Sequence, residues 1–360
     1  MQSNAYKILM SRTSFHPTAM QLFFTVVFIS LIQTFAEAQK INGIAFSAPY
    51  EEMLHDTMFE NIKVTHANWV GLVPEALLDR SSLRLLPDEE NEYKGATIAT
   101  IKEGIQLARK AGFQIFLKPH VILPRHDGKS KDKTRRASWR GEIQARSEED
   151  WIILESCYEE YILELATLAE EYDVELFSIG TELKAFVQHR PDFWNKLISQ
   201  IRSRYTGLIT YCANWDEYEK IEFWDQLDYI GIDAYFPISK KKTPPVRKTV
   251  KKWRSIKEKI QKVSARTDRK VLFTEFGYRN VSFSGRRPWT HDRGQKQNPN
   301  DKAQANLLEA LMRSFWKEDW IAGGFSWEWF GIPLEKGNTD FTVQDKPAMA
   351  VLQKYYGDAE

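Results

Sequence analysis

Residues 149–180 read EDWIILESCYEEYILELATLAEEYDVELFSIG, and the change of period inside this stretch decides the fold. Over 149–172, Leu154, Cys157, Tyr158, Tyr161, Leu165 and Leu168 recur at i, i+3 and i+4. That spacing lays an apolar stripe along one side of an α-helix. VELFSIG (174–180) then runs almost continuously apolar, as expected of a parallel strand covered on its outer face by helices. A long amphipathic helix feeding a buried strand is the repeating unit of an α/β fold.

The same alternation extends in both directions. Strand patterns fall at 41–48 (INGIAFSA), 67–73 (ANWVGLV), 114–121 (QIFLKPHV) and 174–180, then at 208–214 (LITYCAN), 227–234 (LDYIGIDA), 270–276 (KVLFTEF) and 322–328 (AGGFSWE). Pro191 suits the first turn of the helix after the fourth strand, where a missing N–H costs nothing. Strand then helix, eight times, predicts a single (β/α)8 barrel of the α/β class rather than a doubly wound sheet. The 360 residues would allow two domains, but a barrel commonly takes about 250 or more in one. No repeat, linker or low-complexity segment divides the chain, so one domain is expected over 39–360.

Residues 1–38 read as a signal peptide. Lys7 and Arg12 precede an apolar run from Met20 to Phe35, and Ala36-Glu37-Ala38 forms a small-residue cleavage site before Gln39. Export to a periplasmic or extracellular location follows, with no integral membrane span after cleavage. No other stretch is long and apolar enough to span a bilayer. Only Cys157 and Cys212 are present, and they are expected to be buried free thiols.

Bulk charge and metal motifs exclude several functions. The formal charge of +1 supplies no global field for nucleic acid or an acidic membrane. The chain contains no C-x-x-C, H-x-H or H-E-x-x-H spacing, so no catalytic zinc or other cofactor is expected. The 12 Trp exceed what a barrel core needs, and aromatic faces stack well on the apolar side of sugar rings. Two long connections, 122–146 and 279–300, follow the third and seventh strands, on the end of the barrel where active sites form. They carry Trp139 and Trp289.

The chemistry is suggested by two glutamates. Glu182 closes the fourth strand in SIGTEL, and Glu275 closes the seventh in LFTEFGY. Both follow strongly apolar segments, a costly place for a charge without a partner or purpose. Strands four and seven lie on opposite sides of a barrel mouth. Two carboxyl groups facing each other across a sugar are what retaining glycoside hydrolysis requires. One attacks the anomeric carbon; the other protonates the leaving oxygen and later activates water.

Glutamates at the ends of strands four and seven resemble the signature of clan A glycoside hydrolases. Several strings are also similar to glycoside hydrolase family 113, whose characterised members are retaining β-mannanases. They are Ala67-Asn68-Trp69-Val70, Leu117-Lys118-Pro119-His120, Trp139-Arg140-Gly141-Glu142, Gly180-Thr181-Glu182-Leu183, Tyr211-Cys212-Ala213-Asn214-Trp215, Gly231-Ile232-Asp233-Ala234-Tyr235 and Thr274-Glu275-Phe276-Gly277-Tyr278. They run in barrel order over about residues 41–350.

The resemblance implies Glu182 as acid/base and Glu275 as nucleophile, with Tyr235 hydrogen-bonded to the nucleophile. It implies a sugar-binding His120 and a subsite floor formed by Trp327, with a cis peptide after it. Trp139, Asn214, Trp215, Tyr278 and Trp289 are further cleft candidates. Thr181 departs from the pattern, standing where many clan members have asparagine. Asp233 is placed either as an orienting residue or in the polar layer of the barrel. Strand alternation would point Glu328 away from wherever Trp327 points.

The expected function is retaining cleavage of a β-linked glycan, with β-1,4-mannan the first substrate. Action on another β-glycan, exo-acting β-mannosidase activity and carbohydrate binding without cleavage remain alternatives.

Overall fold

The computed structural model describes residues 39–47, 53–86, 97–123, 139–291, 298–335 and 337–357. The signal-peptide reading of 1–38 falls outside the described residues, as do 124–138 and 292–297 of the two long connections. From Ile41 onward the chain groups into one compact unit.

Eight parallel strands close into a barrel. In chain order they are β1 (Ile41–Ser47), β2 (Trp69–Leu72), β5 (Gln114–Leu117), β7 (Leu176–Thr181), β8 (Leu208–Asn214), β9 (Tyr229–Asp233), β10 (Lys270–Phe276) and β11 (Ile321–Phe330). β11 returns to pair with β1. Three short strands, β3 (Glu75–Leu78), β4 (Leu85–Leu86) and β6 (His120–Ile122), form a separate sheet. Outside the barrel lie α1 (Asp56–Glu60), α2 (Ile98–Lys110), α3 (Glu148–Glu171), α4 (Lys184–His189), α5 (Pro191–Arg202), α6 (Val246–Thr267), α7 (Asp301–Phe315) and α8 (Pro347–Gly357). The predicted (β/α)8 architecture is therefore the observed one.

Local sequence explains the element ends. Ser147 caps α3 by accepting the Asp150 N–H at 3.1 Å, and Glu148, Glu149 and Asp150 put negative charge on the positive end of the helix dipole. Pro191 occupies the first turn of α5. The expected strand 114–121 divides in two. The barrel strand ends at Leu117, and after Pro119, which has no N–H to give a ladder, His120 begins the accessory strand β6.

The barrel interior is filled from seven strands by Ile41, Trp69, Phe116, Leu176, Cys212, Leu272 and Phe325. Gly43 makes room for this layer: a Cβ there would overlap the Phe325 ring. A larger apolar cluster lies between the strands and the helices. Cys157 and Cys212 are both free thiols, but Cys157 is only half-buried, because it sits at the margin of the α3 stripe whose buried line runs through Leu154, Tyr158 and Ile162.

Candidate active site

Strands three, six and seven of the barrel place charged side chains on the apolar interior layer. Lys118, just past β5, and Asp233, at the end of β9, are both buried. The Lys118 ammonium donates to Asp233 Oδ1 at 3.0 Å and to Glu275 Oε1. Thr274 donates to the same Asp233 oxygen at 2.7 Å. Asp233 thus belongs to the interior polar layer. Burial opposes the ammonium charge, yet the two facing carboxylates together hold the Lys118 pKa above the usual lysine range. For Asp233, burial and the Glu275 charge outweigh Lys118 and raise its pKa.

Glu275, the last polar residue of β10, receives a second donor. The Tyr235 hydroxyl donates to Glu275 Oε2 at 2.7 Å, as the resemblance implied. His120 Nε2 lies 3.6 Å from Glu275 Oε1. Burial, reinforced by the charges of Arg140 and Lys118, pushes the His120 pKa well below its ordinary value, so the ring is neutral near pH 7. The imidazole stacks on Trp327 at 5.9 Å between centroids with an 18° interplanar angle. Lys118 Nζ lies 5.9 Å from the centroid of the same Trp327 ring.

Glu182 stands across the mouth, immediately after β7. Its backbone takes a φ of 55°, a left-handed conformation that is uncommon for a residue with a Cβ and collects at functional sites. Its side chain accepts from the Trp139 indole N–H at 3.0 Å. Its pKa is raised, first by burial and then by the Glu275 charge, against the lowering pull of Arg140, Trp139 and Lys118. The two glutamates therefore occupy different environments: one carboxylate is held by an ammonium and a phenol, the other favours its protonated form. Thr181, in the position where clan A commonly has asparagine, is buried and donates its hydroxyl to the Pro119 carbonyl at 2.9 Å.

At the end of β11 the peptide between Trp327 and Glu328 is cis, as expected. Trp327 and Glu328 line the same cavity of about 470 Å³, together with Glu75, His291 and Asp340. Pairing with β1 shifts register between Ile44 and Phe46, so two residues of β11 stand opposite one of β1 and strict alternation is lost. The Glu328 carboxylate accepts from Ser47 on β1.

The remaining cleft candidates divide. Trp215 and Trp289 stack on each other at 5.4 Å and 18°, and Trp289 is 40% exposed, so they form an aromatic platform beyond β8 and β10. Asn214 is half-buried and donates to Asp216 at 3.0 Å. Tyr278 is corrected: its ring is buried in the core, and its carbonyl accepts from Gln304 of α7 at 2.9 Å.

Sequence reasoning did not single out Arg140, whose charge bears on both Glu182 and His120. The signal available for it was its place beside Trp139 in the WRGE string. Lys118 entered only within the Leu117-Lys118-Pro119-His120 string, without its two carboxylate partners.

The sequence matches the family model of Glycoside Hydrolase Family 113 over residues 45–346. Among solved structures, the family 113 β-mannanase AaManA from Alicyclobacillus acidocaldarius, in complex with ManMIm, aligns with a TM-score of 0.75 and 23% identity, over 89% of this chain and 98% of that one. A family 113 β-1,4-mannanase complex aligns with a TM-score of 0.73 and 22% identity, over 89% and 99%. A family 5 mannosidase from Rhizomucor miehei aligns with a TM-score of 0.59 at only 8% identity, over 90% and 94%. No curated protein matches the chain. The structural likenesses carry the fold, and the sequence match covers most of the barrel with both glutamates inside it: the chain belongs to glycoside hydrolase family 113, the retaining O-glycosyl hydrolases of clan A.

Proposed function

We propose that this protein is an exported enzyme that cleaves β-1,4-mannan by double displacement, with Glu275 as nucleophile and Glu182 as general acid/base. The observation that carries the reading is the contrast between the two carboxyl groups. Glu275 accepts from the Lys118 ammonium and the Tyr235 hydroxyl, while Glu182 has a raised pKa. In the first step Glu182 gives its proton to the glycosidic oxygen as that bond breaks, and a Glu275 oxygen bonds to the anomeric carbon. In the second step Glu182 takes a proton from water, whose oxygen displaces Glu275 and restores the starting configuration. Trp327 and His120 form an aromatic wall against which the reacting sugar packs, and the Trp215–Trp289 platform holds a sugar further along the chain. Mannan is supported as substrate by the names of the two family 113 neighbours, both called mannanases. Export is supported by the basic, apolar and small-residue sequence of residues 1–38.

The test pairs a substrate panel with a nucleophile rescue. Mannan, glucomannan, cellulose and xylan oligosaccharides should be offered to the mature protein, with depletion expected on the first two. Glu275→Ala should abolish turnover, and azide should restore part of it with an inverted glycosyl azide as product. Wild-type-like turnover in Glu275→Ala overturns the mechanism, and cleavage of cellulose or xylan in preference to mannan overturns the substrate.

A further inference from the structure

The left-handed backbone at Glu182 is secured by strand β8. The Glu182 N–H donates to the Cys212 carbonyl at 2.8 Å. The next N–H, of Leu183, donates to the Tyr211 hydroxyl at 2.7 Å. Two consecutive amides flanking the Glu182 side chain are thus tied to two consecutive residues of one neighbouring strand. Tyr211 is itself fixed: its ring packs edge-on against Trp194 and Phe223, and its hydroxyl donates to Glu217 Oε1 at 3.0 Å.

Glu217 lies in the turn after β8 and has no obvious reason to be buried, yet it is 1% exposed. Its other oxygen, Oε2, is buried with no hydrogen-bond partner among the described residues. A buried carboxyl left half-satisfied is costly and calls for an account. A hydroxyl has one proton to give. With Glu217 Oε1 taking that proton, the Tyr211 oxygen presents its lone pairs to the Leu183 N–H. Without that acceptor the tyrosine hydroxyl can rotate, and the amide loses a defined partner.

We infer that Glu217 is a positioning residue for the acid/base: acting through the Tyr211 hydroxyl and the Leu183 amide, it fixes the left-handed turn that aims Glu182 at the glycosidic oxygen. The inference rests on the assignment of Glu182 proposed above. Burial first, and then the Glu182 charge, push the Glu217 carboxyl up to about 8. It is therefore neutral at pH 7, and glutamine is a close mimic of it.

A misaimed acid slows the first step only for substrates that need protonation, whereas the base-assisted second step suffers for all, so the leaving-group dependence of kcat/KM, which reports the first step, separates positioning from general damage. Kinetics of Tyr211→Phe, Glu217→Leu and Glu217→Gln should be compared on mannotetraose and on a dinitrophenyl β-mannobioside. Tyr211→Phe and Glu217→Leu should lose at least about tenfold in kcat/KM on mannotetraose, with kcat/KM on the activated substrate nearly unaffected while its kcat and KM fall together. Glu217→Gln keeps an acceptor for Tyr211 and should return the ratio of the two rates toward wild type. Equal losses on both substrates, or no loss in Tyr211→Phe, would overturn the inference. Tyr211→Phe removes one oxygen only, which keeps the test informative if Glu217→Leu fails to fold. Glu182→Ala serves as the control. If it lacks the leaving-group signature, the acid/base assignment itself falls. If it shows the signature and Tyr211→Phe does not, only the role of Glu217 falls.

Discussion

The indole N–H of Trp139 points at Glu182 Oε2 from 3.0 Å, so a loop tryptophan takes part in setting the acidity of the candidate acid/base. A hydrogen bond to the ionised form favours ionisation and lowers the pKa. Trp139→Phe should therefore move the alkaline limb of the kcat/KM profile to higher pH. It should also reduce kcat/KM at the optimum by about tenfold, the scale of one hydrogen bond to a charged group. A pH–rate profile checks this, and an alkaline limb that stays in place would exclude the tryptophan as a determinant of that pKa.

Lys118 joins two buried carboxylates, and its removal leaves them facing each other. Lys118→Met should cost about 3–5 kcal/mol in urea denaturation, because it leaves the buried Glu275 carboxylate without its ammonium partner. Glu275 then favours its protonated form, and kcat should fall by about a hundredfold or more, the order found when a preorganised charge is lost. Asp233→Asn leaves the lysine an oxygen to donate to and should be the milder change. Equal activity in Lys118→Met and the wild type would contradict this electrostatic role.

Glu217 makes stability depend on pH. Its folded pKa of about 8 lies above the ordinary glutamate value of 4.5, so the folded state binds the extra proton between these limits. The stability linked to this proton is fully present below about pH 4.5 and is lost as pH rises through about 8. Comparing urea midpoints at pH 5 and pH 9, Glu217→Gln should flatten the decline by several kcal/mol. The scale is about 1.4 kcal/mol for every tenfold difference in proton affinity between the folded and unfolded chain. A parallel decline in mutant and wild type would place the titration elsewhere.

Gly43 tests the barrel interior. Gly43→Ala should destabilise by about 1–3 kcal/mol through overpacking against Phe325. Adding Phe325→Leu should recover part of that loss, read as a rise in Tm relative to the single variant. Independent, additive effects would mean that the two positions do not share one space.

The parts of the site visible in the sequence are those carried by local strings. Glu182 and Glu275 close apolar strand runs, so period and position suffice to find them, and Tyr235 and Trp327 were placed by family resemblance at strand ends. The Lys118–Asp233–Glu275 cluster needs strands three, six and seven to converge, and no single string contains that information. Glu217 sits in the polar stretch DEYEK, whose local reading is a solvated turn. Its burial arises from the aromatic side chains packed around Tyr211. The bulge in the β1–β11 pairing beside Trp327 and Glu328 was not legible, because alternation assumes an unbroken ladder. Tyr278 entered as a cleft candidate with the family-like string that carries Glu275, and a string does not show that its ring packs into the core.

The apolar layer of Ile41, Trp69, Phe116, Leu176, Cys212, Leu272 and Phe325 closes the barrel beneath the ammonium and its carboxylates. Dissolved ions screen charges they can approach, and those on the outer helices, such as Arg190 with Glu148, are open to them. The interior cluster is insulated on that side by hydrocarbon. Added salt therefore acts on the two sets of charges unequally: it weakens the ion pairs on the outer shell more than the field around Glu275.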